Sequence, residues 1–237
     1  MQAAETRATI VVCAMVSGTP AGRRSEWPRL DRSRVPVTWI ASWDTLSDWA
    51  AAVRMPGAVA LDIPAAAIEA RHRIRTLLAR GREAVPQLDT VAVHGPIDRS
   101  HRDLLLDEGV RAVVVDRLGD DGRGSRRPAP KGWRCRNTAW GLWEVEAARA
   151  ESGGWLAWLG GGLPRPRASS LHTVATEGLT TSSGGQLQVH PQLERRLAWA
   201  ERHLDRGLAT AETVRGLVAR LAGEERQPLA GSVLRAA

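Results

Sequence analysis

The 237-residue sequence has no phenylalanine, no tyrosine, two cysteines, one lysine (Lys131) and one asparagine (Asn137). With Phe and Tyr missing, the ten tryptophans must supply every aromatic contact, so each is read first as a core residue and only then as a ligand platform. On this ground Trp39 and Trp199 are expected to pack. Cys13 and Cys135 stand apart in apolar or aromatic segments, which excludes a CxxC pair and a disulfide framework. They read as buried, reduced core residues. No apolar run approaches the roughly 20 residues of a membrane span, so no membrane partner is expected.

The scarcity of Lys and Asn beside plentiful Arg, Ala and Gly is the usage of a GC-rich coding sequence, and it bears on the net charge of +7. The arginines are scattered rather than gathered into a stripe, which argues against a nucleic-acid partner. At the start, "MQAAETRATIVVCAMVSGTPAG" holds a short apolar run, but the acidic Glu5 and the lack of a basic leader argue against an export signal. A first core strand and a cytoplasmic location are the expectation.

Short β-branched runs recur between helical patterns: "TIVVCAMV" (9–16), "VPVTWIA" (35–41), "AVALDI" (58–63), "DTVAVH" (89–94) and "RAVVVD" (111–116). Between them, 45–53, 65–81 and 98–109 read as helices, the last two stopped by Gly81 and Gly109. Such alternation signals a parallel sheet with crossover helices. In the second helix Ile68, Ile74, Leu77 and Leu78 form the apolar stripe, and its arginines are read as a solvated outer face. The stretch 119–132 is a surface loop whose carboxylates do not match a calcium loop.

The second half reads as an extended Trp-rich segment (133–146), a Gly-bounded aromatic turn (153–162) and a strand (169–176). A polar loop (178–186) and an amphipathic helix (191–207) follow, then a short strand and closing helix (208–223) with Thr210 as the expected N-cap. No repeat or linker divides the chain, so 1–223 is expected to be one domain and 224–237 a loosely held tail.

Asp62, His94 and Asp116 fall at strand C-terminal ends, where parallel barrels collect their chemistry, and Glu144 and His172 are further candidates. His94 precedes Gly95-Pro96. His101, seven residues on, is expected to face away, and the pair does not have a metal-ligand spacing. His72 and His203 are expected to face solvent, and His190 to be a loop residue or a helix cap. Neither a phosphate-binding GxxxxGK[ST] loop, a GxGxxG, a GxSxG elbow nor an HExxH is present.

"VPVTWIA", "DLLLDEGVRAVVVD" followed by "RPAPKGW" and "WGLWEVE", and "LERRLAWAERHLDRGLATAETVRGLVARL" resemble, in order, segments of the polysaccharide deacetylase (NodB-homology) superfamily. The resemblance implies a distorted (β/α) barrel of about seven parallel strands. The family's motifs are another matter. It places an Asp pair after the first strand, where "VVCAMVSGTPAG" has no acidic residue, and a His-x-x-x-His pair after the third, where "ALDIPAAAIEA" has no histidine. It places Arg-x-Pro after the fourth, where His94-Gly95-Pro96 stands. The late histidine is matched by His172 in "SLHTVAT" or by His190 in "LQVH".

Metal-assisted deacetylation needs a metal-bound water, a base and an acid. The expectation is therefore a catalytically degenerate barrel with a carbohydrate-binding or interaction role, without a metal or other cofactor. Its top-face cleft is expected to use Trp43, Asp62, His94, Trp140, Trp143 and His172. The alternative is a metal-dependent carbohydrate deacetylase, or another non-peptide C–N hydrolase, with rearranged residues. There His172, His94 and Asp116 would be catalytic and a divalent ion such as zinc would be the cofactor.

Overall fold

The computed structural model describes residues 7–16, 33–53, 58–68, 70–94, 97–116, 135–139, 141–149, 171–181 and 187–226. They comprise β1 (Ala8–Val16), β2 (Val37–Ala41), α1 (Leu46–Ala52), β3 (Val59–Ile63), α2 (Ala65–Ile68), α3 (Arg71–Ala84), β4 (Thr90–His94), α4 (Arg99–Asp107) and β5 (Ala112–Asp116). The remainder is β6 (Cys135–Ala139), β7 (Leu142–Arg149), β8 (Leu171–Thr181), β9 (Leu187–Val189), α5 (Pro191–Asp205), β10 (Ala209–Glu212) and α6 (Val214–Arg226). The early strands begin one or two residues from their expected starts. The expected tail begins at 224, but 224–226 are the end of α6; the rest of it, and the expected features at 119–132 and 153–162, lie outside the described residues.

The fold is α/β, built on one curled, mixed sheet. Strands β1, β2, β3, β4, β5, β7 and β8 pair in parallel in that order, and β8 also pairs in parallel with β1. Along its other edge β1 meets β10 at Ala8–Val11 and β2 at Val12–Met15, one after the other. The Trp-rich segment expected to be a single extended piece is a hairpin: β6 runs antiparallel to β7, turning at Gly141, whose φ is +113°. The expected polar loop after 176 is partly strand, since β8 continues to Thr181 and pairs antiparallel with β9.

Strand alternation separates two cores. Residues such as Ile10, Val12, Trp39, Leu61, Val91 and Val113 face the helices, where Leu46 and Trp49 of α1, Ile74 and Leu78 of α3, Leu104 of α4 and Leu197 of α5 cover them. Trp39 stacks on Trp49 with centroids 5.7 Å apart, and Trp199 is buried, so both tryptophans pack as expected. The opposite face carries Val11, Cys13, Ile40, Ala60, Ala92, Ala112 and Val114. Three of these are alanines, and the room they leave is taken by Trp143 and by Val214, Leu217, Val218 and Leu221 of α6.

Polar contacts seat α6 at the end where the strands begin. The Val214 N–H donates to Thr38 Oγ1 at 2.9 Å, Arg215 pairs with Asp89 at 3.3 Å just before β4, and Arg220 donates to Thr9 Oγ1 at 3.2 Å. Its N-cap is Thr213, whose Oγ1 accepts from the Gly216 N–H at 3.1 Å; Thr210, the expected cap, lies in β10.

Several helix ends differ from expectation. The expected helix 65–81 is split into α2 and α3, and α3 continues past Gly81 to Ala84. Gly81 is there for space: a Cβ would stand 2.7 Å from Leu88 Cδ2 and 3.3 Å from Leu61 Cδ2. Gly109 does follow α4 with φ +72°, as a helix stop should. His203 is buried rather than solvent-facing, its Nδ1 2.8 Å from the Trp199 carbonyl and its ring 4.9 Å from the indole. The i, i+4 spacing puts it beside Trp199 on the packed side of α5.

Candidate functional site

With α6 lying across the strand starts, chemistry on the inner face is left to the other end, where the strands finish. Asp62 is next to last in β3 and His94 is last in β4. In the β3–β4 register Asp62 stands opposite Ala92, so His94 is its diagonal neighbour on the inner face. Their side chains meet, with His94 Nε2 2.8 Å from Asp62 Oδ1, and they keep 21% and 25% exposure. A carboxylate accepting from one ring nitrogen fixes the imidazole's orientation. Asp116, last in β5, is the direct register partner of His94. Three adjacent strands therefore carry an Asp, a His and an Asp at or one residue from their ends.

The other expected residues distribute as follows. Trp43, just beyond β2, is 43% exposed, with the Arg80 guanidinium 4.6 Å above its ring. Trp143 is buried near the start of β7, opposite Ala112, and packs in the inner core with α6 rather than at the strand finish. Trp140 lies outside the described residues. The backbone of His172 is in register with Ile10, toward the strand starts.

The rival late histidine, His190, is nearer the strand finish. Its N–H donates to the Gly178 carbonyl at 2.9 Å, beside the Met15/Val16 bulge near the end of β1. It is also a helix cap, Nδ1 accepting from the Gln192 N–H of α5 at 3.3 Å. The family's late Leu-His pattern is met by "SLHTVAT" and less closely by "LQVH"; only register shows which end of its strand His172 occupies. Among the described residues, no group of three or more His, Cys, Asp and Glu side chains could hold a metal ion. For Asp116 and His172 the backbone position alone is described.

Glu144, a further candidate, sits on the helix side of β7. Its carboxylate is buried and accepts from Arg102 Nε at 2.5 Å and from Arg136 Nη2 at 2.7 Å. Other arginines are also paired with the molecule's own acids, at the surface: Arg75 and Arg82 with Glu108, Arg34 with Asp205 and Arg220 with Glu212. Both cysteines are buried, and desolvation pushes each thiol up to about 12, against the opposing pull of Arg220 in the case of Cys135. Neither is a nucleophile at neutral pH.

Among the described residues no helix is long and apolar enough to cross a membrane. No family model, curated protein or solved structure matches the chain.

Proposed function

We propose that the chain is a seven-stranded (β/α) barrel of the polysaccharide-deacetylase kind, degenerate in that family's chemistry, which binds carbohydrate where its strands finish. The barrel reading is supported by the parallel pairings that run from β1 through β8 and back to β1. The site reading rests on one observation, the contact between Asp62 and His94 on the inner face. A carboxylate and an imidazole held partly exposed offer acceptors and donors to vicinal hydroxyls, and Trp43, 43% exposed beyond the end of β2, offers the ring face that Arg80 does not cover.

Calorimetric titration with chitooligosaccharides and xylooligosaccharides tests this. Asp62→Asn and His94→Ala are each expected to weaken binding at least tenfold, about 1.4 kcal/mol. Binding that is undisturbed by both variants, or absent from the wild type, refutes it.

The same contact favours a second reading, a hydrolase with rearranged residues. An Asp-oriented imidazole is the arrangement that lets a histidine act as general base, and Asp116 stands next to it in register. Asp62, His94 and Asp116 are also of the residue types that hold a divalent ion such as zinc. Acetate release from acetylated oligosaccharides, lost in His94→Ala, would establish hydrolysis; loss on chelation would assign it to a metal. Stoichiometric zinc, cobalt or nickel in the purified protein would replace the non-hydrolytic reading with the metal-dependent one.

A further inference from the structure

Asp62 and His94 are not the only link between the segments that leave β3 and β4. His101, in the first turn of α4, has Nε2 2.6 Å from the carbonyl oxygen of Ile68 and Nδ1 2.6 Å from Asp98 Oδ1. Ile68 ends α2, which follows directly from β3, and Asp98 is the N-cap of α4, which follows β4. The contacts 62–94 and 68–101 are thus two rungs between the same two stretches of chain.

The four-residue α2 is Ala-Ala-Ala-Ile. It has no polar side chain with which to anchor itself, and the carbonyls of its last turn have no partner within the helix. The imidazole of His101, 16% exposed, fills that gap for Ile68.

We propose that His101 is a positioning residue for the site: by donating from both ring nitrogens it clamps the segment leaving β3 to the segment leaving β4 and holds the separation across which Asp62 meets His94. This rests on the reading of that contact as a ligand site. A carbonyl can only accept. Asp98 also accepts, since the same oxygen takes the His101 N–H at 2.8 Å and the Ser100 hydroxyl at 2.8 Å. Those bonds, the backbone one first, hold its carboxyl down to about 2. Two acceptors on opposite sides of one ring require two N–H donors, which an imidazole carrying both protons supplies and an amide does not.

Two neighbouring arginines are otherwise engaged. Arg73 of α3 donates to the Ala66 carbonyl at 3.3 Å, and Arg102, next to His101, is turned to Glu144. Among the described residues, the side chain that reaches the Ile68 carbonyl is that of His101.

Two ligand-free measurements on the full chain test the proposal: the His94 ring resonances, assigned by their loss in His94→Ala, and amide exchange over residues 59–68. His101→Gln is expected to shift or broaden the His94 ring signals and to speed that exchange roughly five- to tenfold. Ser100→Ala, which removes another Asp98 contact without reaching α2, is expected to leave both unchanged. A folded His101→Gln protein with wild-type His94 signals and exchange overturns the proposal, and so does a Ser100→Ala protein that moves them equally.

If His101→Gln fails to fold, Asp98→Asn keeps an N-cap oxygen while removing the charge facing Nδ1, and unchanged signals there overturn the proposal as well. Because no sugar is added, failure of oligosaccharide binding sinks the functional reading and leaves this result readable.

Discussion

Shortening Leu217 to alanine separates the two ends of the sheet. Leu217 is fully buried in α6, inside the core formed with the inner face. Buried Leu→Ala changes cost about 2–5 kcal/mol, the spread reflecting how well neighbours close the void. The same core includes Ala60, Ala92 and Ala112, which have little side chain with which to close a void. The upper part of the range, about 3–5 kcal/mol, is therefore expected.

At this chain length each kcal/mol lowers Tm by roughly 2–4 °C, so the fall should be about 6–20 °C. Urea and thermal unfolding followed by far-UV circular dichroism measure it, with Leu208→Ala as the control. Leu208 is 47% exposed, and its loss should stay within about 0.5 kcal/mol. The His94 ring signals should be unmoved in the folded Leu217→Ala protein. A cost below about 1 kcal/mol, or one no larger than the control's, would refute the seating of α6 against the inner face.

Gly178→Ala should cost about 1–3 kcal/mol in chemical unfolding, because the added methyl would meet Ala14 Cβ at 2.8 Å and the Met15 carbonyl at 3.0 Å, and backbone cannot swing aside. Asp98 is held at about 2 against an ordinary 3.8, so its contribution to stability is complete above about pH 4 and is lost as pH falls from there toward 2. The urea midpoint of Asp98→Asn should accordingly fall less steeply over that window than that of the wild type. Both thiols should resist a disulfide exchange reagent in native protein at pH 8 and react once denatured, since burial pushes each up to about 12. Rapid labelling of the native protein would contradict their placement in the core.

The strands of the first half were legible because each is a short β-branched run closed by a helix pattern, so composition and period agree. The β6–β7 hairpin was not, since "WRCRNTAWGLWEVE" has tryptophans on both sides of the turn and its single glycine, Gly141, gives little punctuation. The apolar spacing of Val214, Leu217, Val218 and Leu221 announces a packed helix in any sequence, but says nothing of which surface receives it. The surface that receives it carries the small residues Ala60, Ala92 and Ala112.

Asp62 and His94 could each be placed at a strand end from local pattern. Their contact could not, because 32 positions separate them and only the register of β3 against β4 makes them diagonal neighbours. His101 was read as facing away for the same reason: Ile68, its partner, offers a backbone carbonyl, and a sequence carries no mark for that.

The arrangement around β1 has a temporal consequence. β1 is made well before β8, which flanks one edge, and β10, which covers part of the other, and the Thr210 hydroxyl reaches the Ala8 carbonyl across 202 positions of chain. At about 5–20 residues per second, a ribosome needs on the order of 10–40 s to deliver those last partners. Throughout that interval β1 is an apolar strand with open backbone groups, the kind of edge that recruits other chains. Yield in the cell should depend on how well that early strand is shielded until the closing segment arrives.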